Sequence, residues 1–467
     1  MNTGSNMNFE EERPMIKKST LLFFLLALLC LILGGCGFSL SGADLIRPPK
    51  PYGKNNELRI AFEKSVSADV IFKTPISGAY LSSFVLEDID GDGTEEALVF
   101  YAERSQDTTV YINVFTYFDD AWQYACTVTG QGCDVYSIDF IDMNENGVKE
   151  IAVSWILLEQ SGSKMLSVYD FSPSERALTE LSAELFTLKK FIDVDGDGMT
   201  EIFLAHMDTS QEKPASFAKV LKMDGDKSVT LIEKRSLDGN VSGYTSIKAD
   251  EGRQSGHANI YIDANKGESQ MITEILYWNS TSQTLSVPLL DNETQCNTQS
   301  WRSVRLASRD LDGDGIVEVP VQVELKGGEI WYIDADVSNT FYITNWCNLV
   351  GNRLVTVKKS LVNYSESCLF YIPEGWEDRF TVSSYKDTNK WDFYSVDQKT
   401  GERDDYMFSV IFSTAENWES NSAELYQGYI VMKEHEDKRL LLSGISDEAG
   451  LNISKELLAE NFSYYEQ

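Results

Sequence analysis

Four short segments place oxygen-bearing side chains at positions 1, 3, 5 and 9, with glycine at position 6 and a backbone carbonyl on offer at position 7. The first holds Asp88, Asp90, Asp92, Thr94 and Glu96, the second Asp142, Asn144, Asn146, Val148 and Glu150. The third holds Asp193, Asp195, Asp197, Met199 and Glu201, the last Asp310, Asp312, Asp314, Ile316 and Glu318. Side chains at positions 1, 3 and 5 of a tight loop converge on one point. Glycine at position 6 allows the positive φ that folds the chain round an ion. The carbonyl at position 7 and the carboxylate at position 9 then close the shell, as in an EF-hand loop that exits into a strand. Three of the loops gather four carboxylates, which repel strongly at a few ångströms unless a cation lies among them. Hard oxygen ligands suit Ca²⁺ rather than zinc or copper. The spacing therefore predicts up to four structural calcium sites. The one at Asp142 should be the weakest, because Asn144 and Asn146 remove two charges.

Other chemistry is sparse. The three histidines, His206, His257 and His435, are far apart in sequence. There is no G-x-S-x-G, Walker A loop, H-E-x-x-H or G-x-G-x-x-G at a strand–helix junction, so no catalytic constellation is visible. A net charge of −33 excludes a surface that neutralises nucleic-acid phosphates. Hydrophobic residues make up 42% of the 467-residue chain, enough for a buried core.

The acidic loops sit between short apolar runs such as Phe84-Val-Leu and Ala97-Leu-Val-Phe, which reads as strand–loop–strand. Their starts lie 54, 51 and 117 residues apart, and the long gap is close to two periods. About 29 residues after each start comes a hairpin with an aromatic or Met before its turn. Counting back from Ile275-Leu-Tyr-Trp278 lands on Ala249, beside Asp250, so a fourth unit has lost its acidic loop and should bind no metal. Asp250→Ala is expected to be almost silent. Four strands per unit, repeated over residues 76–359, predict a mainly β protein. Its propeller has about five (five to seven) four-stranded blades, and a strand near Leu58–Phe62 completes the last blade or begins a partial sixth. Residues 360–467 lose the period and read as a small separate α+β domain. It has a capping box at Ser413 and Glu416 and a terminal helix over 454–461, and Trp376, Trp391 and Trp418 either pack in its core or line a ligand groove.

The D-x-D-G-D-G-x-x-E loops between strands resemble the FG-GAP or VCBS repeats of integrin-α-type calcium-binding propellers. That resemblance implies a propeller, usually of seven blades, with calcium in its loops.

At the N-terminus, Lys17 and Lys18 precede 13 apolar residues, Leu21 to Leu33, too few to span a bilayer. Leu33-Gly34-Gly35-Cys36 then resembles the bacterial lipobox, whose cysteine carries diacylglycerol. The organisation expected is a signal peptide at 1–35, a flexible tether at 36–57, the propeller at 58–359 and the α+β domain at 360–467. Met15-Ile-Lys-Lys has the form of a signal-peptide start, so the chain begins at Met1 or at Met15. Cys30 would leave with the signal peptide, and five cysteines besides Cys36 remain; either Cys126 and Cys133 close one small loop, or all five are small buried apolar residues. The expectation is a lipid-anchored bacterial surface protein outside the cytoplasm, with a non-catalytic propeller that binds a protein or glycan. The alternative is a propeller glycosidase or lyase acting on extracellular polysaccharide. If Cys36 is the anchor, Cys36→Ser leaves unprocessed precursor and abolishes fatty-acid labelling in growing cells; continued labelling of the variant rules the anchor out.

Overall fold

The computed structural model describes residues 54–67, 69–158, 164–208, 215–225, 227–250, 258–332, 339–421 and 424–465. The signal peptide, Cys36 and most of the tether lie outside them. Among the described residues no helix is long and apolar enough to cross a membrane. The chain divides into two compact units at Ile60.

The first element is a helix, α1 (Lys54–Ser65), where a strand was expected near Leu58–Phe62. The helical period explains the difference. Leu58 and Phe62, four residues apart, are buried, while Ile60 between them is 43% exposed. Glu57 in the first turn and Lys64 in the last complement the helix dipole. Phe62 packs against Phe72, Phe84 and Tyr101 with ring centroids 5.2–6.0 Å apart.

The rest is mainly β. The first sheet holds β1 (Val70–Phe72), β2 (Phe84–Glu87), β3 (Glu96–Glu103), β4 (Gln106–Phe118) and β5 (Ala121–Thr129). The two short strands share one edge of β3, β1 at Tyr101–Glu103 and β2 at Glu96–Val99. Three four-stranded antiparallel sheets follow. They are β6 (Asp134–Ile141) to β9 (Ala177–Phe186), with β7 (Glu150–Ile156) and β8 (Lys164–Ser172) between; then β10 (Leu188–Ile192), β11 (Glu201–Asp208), β12 (Ala215–Met223) and β13 (Val229–Ser236); then β14 (Gly243–Ala249), β15 (Asn259–Lys266), β16 (Gln270–Asn279) and β17 (Thr284–Ser286). Each is a sequential meander, which is how propeller blades are built. Apolar clusters join consecutive sheets: Phe100 and Trp155 link the first to the second, Leu166 and Leu204 the second to the third, Phe203 and Ile262 the third to the fourth. A β-bulge recurs in the third strand at Val114/Phe115, Val168/Tyr169, Val220/Leu221 and Trp346/Cys347, so the repeat is structural as well as sequential.

The fifth unit differs. An Arg309–Glu318 bridge opens it, followed by β18 (Val319–Trp331), β19 (Asn339–Val350) and β20 (Arg353–Asn363). The domain boundary expected at 359/360 falls inside β20. Both edges of the unit are extended by the C-terminal segment. β20 pairs with β21 (Cys368–Tyr371), which pairs with β27 (Phe462–Tyr464). The far end of β18 pairs in parallel with β22 (Phe380–Tyr385), which leads to β23 (Lys390–Val396), β24 (Arg403–Thr414), β26 (Lys438–Ser443) and β25 (Ile430–His435). One ten-stranded sheet results, and its core mixes Leu325 and Phe341 with Trp376, Trp391, Phe393 and Phe408. Covering both edges leaves no long unpaired strand there. Two seven-residue helices, α2 (Ala415–Asn421) and α3 (Lys455–Asn461), complete it. The cap of α2 is Thr414, whose hydroxyl accepts from Asn417 N–H, one residue later than expected. Ser454 caps α3. Cys126, Cys133, Cys296, Cys347 and Cys368 are all free thiols.

The fourth sheet lacks an acidic loop and carries its charge inside. Arg302, fully buried, pairs with buried Asp263 at 2.8 Å, and Thr273, Ser246 and Ser308 donate to the same carboxylate. Beside it, buried Glu274 on β16 accepts from Asp238 N–H at 2.7 Å. Burial, with the charge of Asp238, pushes the Glu274 carboxyl up to about 7 from 4.5. A carboxyl raised on folding contributes fully below its unfolded pKa and loses that contribution as pH rises from about 4.5 through 7. The loss above pH 7 is on the order of 3 kcal/mol. Glu274→Gln keeps the acceptor and removes the charge. It should raise the melting temperature at pH 8 and leave it unchanged at pH 5. An equal effect at both values would disprove the assignment.

Candidate metal loops

Each acidic loop is shaped by its own carboxylates before any ion is considered. In the first, Asp88 accepts from Gly91 N–H through Oδ1 (2.9 Å) and from Gly93 N–H through Oδ2 (3.1 Å). Asp193 does the same for Gly196 and Gly198, and Asp310 for Gly313 and Gly315. The fifth-position side chain then accepts from the seventh amide: Asp92 from Thr94, Asn146 from Val148, Asp197 from Met199 and Asp314 from Ile316. Gly91 has φ of 75° and a Cβ there would lie 2.4 Å from the Gly147 carbonyl, so only glycine fits. The second loop manages the same position with Glu145 at φ 56°.

The ninth residue is the anchor. Glu96, Glu150, Glu201 and Glu318 open the second strand of their units and are at most 3% exposed. Each turns Oε2 back to accept the second-position amide: Ile89 at 3.1 Å, Met143 at 3.0 Å, Val194 at 2.8 Å and Leu311 at 2.8 Å. Burial, opposed by that bond and reinforced by neighbouring Asp charges, pushes Glu96 and Glu318 up to about 7. Glu150 and Glu201 are raised for the same first reason.

The loops also hand on to one another. The eighth-position amide of the second loop, Lys149 N–H, donates to the Ile89 carbonyl of the first at 2.7 Å, and Thr200 N–H to Met143 O at 3.3 Å. In the fourth unit a side chain takes over. Buried Asp250 accepts from Val317 N–H of the last loop at 3.0 Å, and also from Asn259 Nδ2 and the Tyr261 hydroxyl. The expectation that Asp250 is inert is therefore wrong: it is the splice between the fourth and fifth units.

Carboxylate ligand atoms converge in the first, third and last loops. Those of Asp88, Asp90 and Glu96 lie within 4.8 Å of one another, as do those of Asp193, Asp195 and Asp197, and of Asp310, Asp312 and Asp314. The third loop already holds a positive charge. Lys222 on β12 places Nζ 2.7 Å from Asp195, 2.6 Å from Asp197 and 3.0 Å from Glu201. These three carboxylates hold the ammonium well above its usual pKa despite partial burial. The β11–β12 register that sets Ile202 against Leu221 puts Lys222 opposite Glu201. The same registers set Thr116 opposite Glu96 and Asp170 opposite Glu150. Asp170 thus brings a carboxylate to the second loop, where two were missing, and its charge helps raise Glu150. Lys227 pairs with Asp170 from outside at 2.7 Å. Glu150 Oε1 and Asn144 Oδ1 are buried there without a hydrogen-bond partner. Neither Lys222 nor Asp170 could be identified as a loop neighbour from spacing alone, because the pairing of the second strand with the third sets which residue faces the loop.

No protein-family model matches the chain, and no curated protein matches it. Among solved structures it is similar to the crystal structure of the Saccharomyces cerevisiae Sqt1, at 8% identity over 72% of this chain and 88% of that one, with a TM-score of 0.28. A likeness at that level carries no argument.

Lys222→Met should leave Asp195, Asp197 and buried Glu201 facing one another without a counter-charge. In a cluster this open to solvent, where Asp197 is 37% exposed, losing the shared partner costs about 1 kcal/mol or somewhat more, well short of a fully buried pair. The variant should melt below wild type in chelator and recover in millimolar calcium. A variant that melts like wild type in chelator would show that the lysine does not hold the loop together.

Proposed function

We propose that the protein is a lipid-anchored surface protein outside the bacterial cytoplasm, whose FG-GAP-like propeller is a calcium-stabilised, non-catalytic binding module for a protein or glycan. One observation carries the calcium reading. Four loops share one hydrogen-bond pattern, and the third gathers a protein ammonium into its carboxylates. That pattern supports a cation in each loop, taken from solution by the loops starting at Asp88, Asp142 and Asp310. In the first, Asp88, Asp90, Asp92, the Thr94 carbonyl and Glu96 would hold the ion, and Asp310 to Glu318 would do so in the last. Asp142, Asn144, Asn146 and Glu150 would hold it in the second, where the unpartnered buried oxygens are those an ion would satisfy. The ion supplies charge neutralisation that ties each loop to its blade. Sites of this kind in extracellular modules work at Kd of about 10⁻⁴–10⁻³ M.

The glycosidase reading needs two unliganded carboxylates about 5–9 Å apart in a cleft. The cavity at the first strands of the third and fourth sheets is lined by Lys190, Lys248 and Arg309, and its one acid, Asp310, belongs to a metal loop, which favours binding over hydrolysis there.

A cation bound only to the folded state stabilises by RT ln(1 + [L]/Kd), about 1.4 kcal/mol per site at ten times Kd. Calcium titration should show three sites, each removed singly by Asp88→Ala, Asp142→Ala or Asp310→Ala, while Asp193→Ala removes none. Chelation should lower the melting temperature by the sum of the three. A melting curve indifferent to chelator, on protein verified to be metal-free, overturns the calcium reading.

A further inference from the structure

Several half-buried lysines of this protein sit on carboxylates: Lys189 on Asp139 and Lys219 on Glu184 at 2.5 Å, and Lys266 on Asp238 at 2.6 Å. Lys190 and Lys248 are different. Neither makes an ion pair with the described residues, and with Arg309 they line one cavity of about 280 Å³. Successive strand residues point to opposite faces. On β10, Lys189 therefore turns to Ser137, Ser154 and Asp139 of the second sheet, and Lys190 turns the other way, into the cavity. Lys248 on β14 donates to the Ser308 carbonyl, and burial lowers its pKa. The guanidinium of Arg309 lies over the Tyr465 ring, 4.3 Å from its centroid. The one acid among the lining residues, Asp310, is turned into its own loop, where Gly313 and Gly315 N–H groups hold both of its oxygens. Three cations thus converge from three successive units in a chain whose net charge is −33.

We propose that this cavity binds the anionic group of a small acidic ligand, a carboxylate, phosphate or sulfate carried on a body no larger than a monosaccharide. The volume lies at the lower end of ligand cavities, about 300–1,000 Å³, and so takes one ring or one head group. The two lysines supply compact point charges, and the arginine supplies a planar fork that fits two oxygens at once. This rests on reading the protein as a binding module; because Asp310 and Gly315 of the last loop border the cavity, the titrations are repeated on Asp310→Ala protein, where binding should persist if the lysines and not a loop-bound ion hold the anion.

The test is calorimetry on the full-length, detergent-solubilised, calcium-replete protein, titrated with glucuronate, glucose 6-phosphate, inorganic phosphate, sulfate and glucose. At least one anion should bind, more weakly as salt is raised, and glucose should not. Glucuronate alone identifies a carboxylate ligand, phosphate or its sugar ester a phosphate ligand, and sulfate alone a sulfate ester. Lys190→Gln and Lys248→Gln should each weaken that binding about tenfold, Lys190→Gln without changing the melting temperature, and Lys227→Gln, at the distant second loop, should not weaken it. Glucose binding as well as glucuronate, no heat from any anion at millimolar concentration, or wild-type affinity in the double Lys190/Lys248 variant would each overturn the assignment. Calcium-dependent melting of the same sample reports on the metal loops separately, so failure of the cavity is distinguishable from failure of the calcium reading.

Discussion

A buried carboxylate at the ninth position of each acidic loop, accepting the amide of the second, is the bond on which the repeat depends. It closes the loop across its base and fixes where the second strand of the unit begins. It also points the second-position side chain, Ile89, Met143 or Val194, into the apolar cluster shared with the next sheet. A hydrogen bond to a charged group is worth about 1.5–3 kcal/mol, but burying the charge works against it. The raised carboxyl of Glu96 registers that conflict. Whatever neutralises the loop therefore decides how firmly the blade is held.

Each unit resolves the same electrostatic problem in a different way. The third borrows Lys222 from a neighbouring strand. The second trades two aspartates for asparagines and recovers one carboxylate from Asp170, which Lys227 partly neutralises. The fourth gives up the loop and buries an Asp263–Arg302 pair, keeping Asp250 only as an acceptor for the next loop. The first and last keep a full set of carboxylates with no protein cation among the loop atoms that converge. Chemically similar segments thus have unequal need for an external ion.

The last unit shows what stops the repeat. Its strands pair at both edges with the C-terminal segment, so the series of separate sheets ends in one broad sheet with an aromatic core. Trp376 is held in that core by a bond from Nε1 to the Leu451 carbonyl, which satisfies its polar atom where water is absent.

The sequence by itself determined the repeat, the strand–loop–strand units, the missing loop of the fourth and the residues that shape the others. These follow from local rules: alternating side chains, Asp–Gly turns and the spacing of carboxylates within nine residues. Only the tertiary structure decided which residue faces each loop from the next strand. Spacing at Asp193 gives a loop equal to that at Asp88, and the fold makes them unequal, because the cross-strand register sets Lys222 opposite Glu201 and Thr116 opposite Glu96. Leu58–Phe62 alternates like a strand, yet burial of Leu58 and Phe62 and exposure of Ile60 favour the helical period. Asp250 looked expendable because its role is a bond to a residue 67 positions away. Residues distant in the chain meet through cross-strand register and sheet pairing, and no local spacing records those.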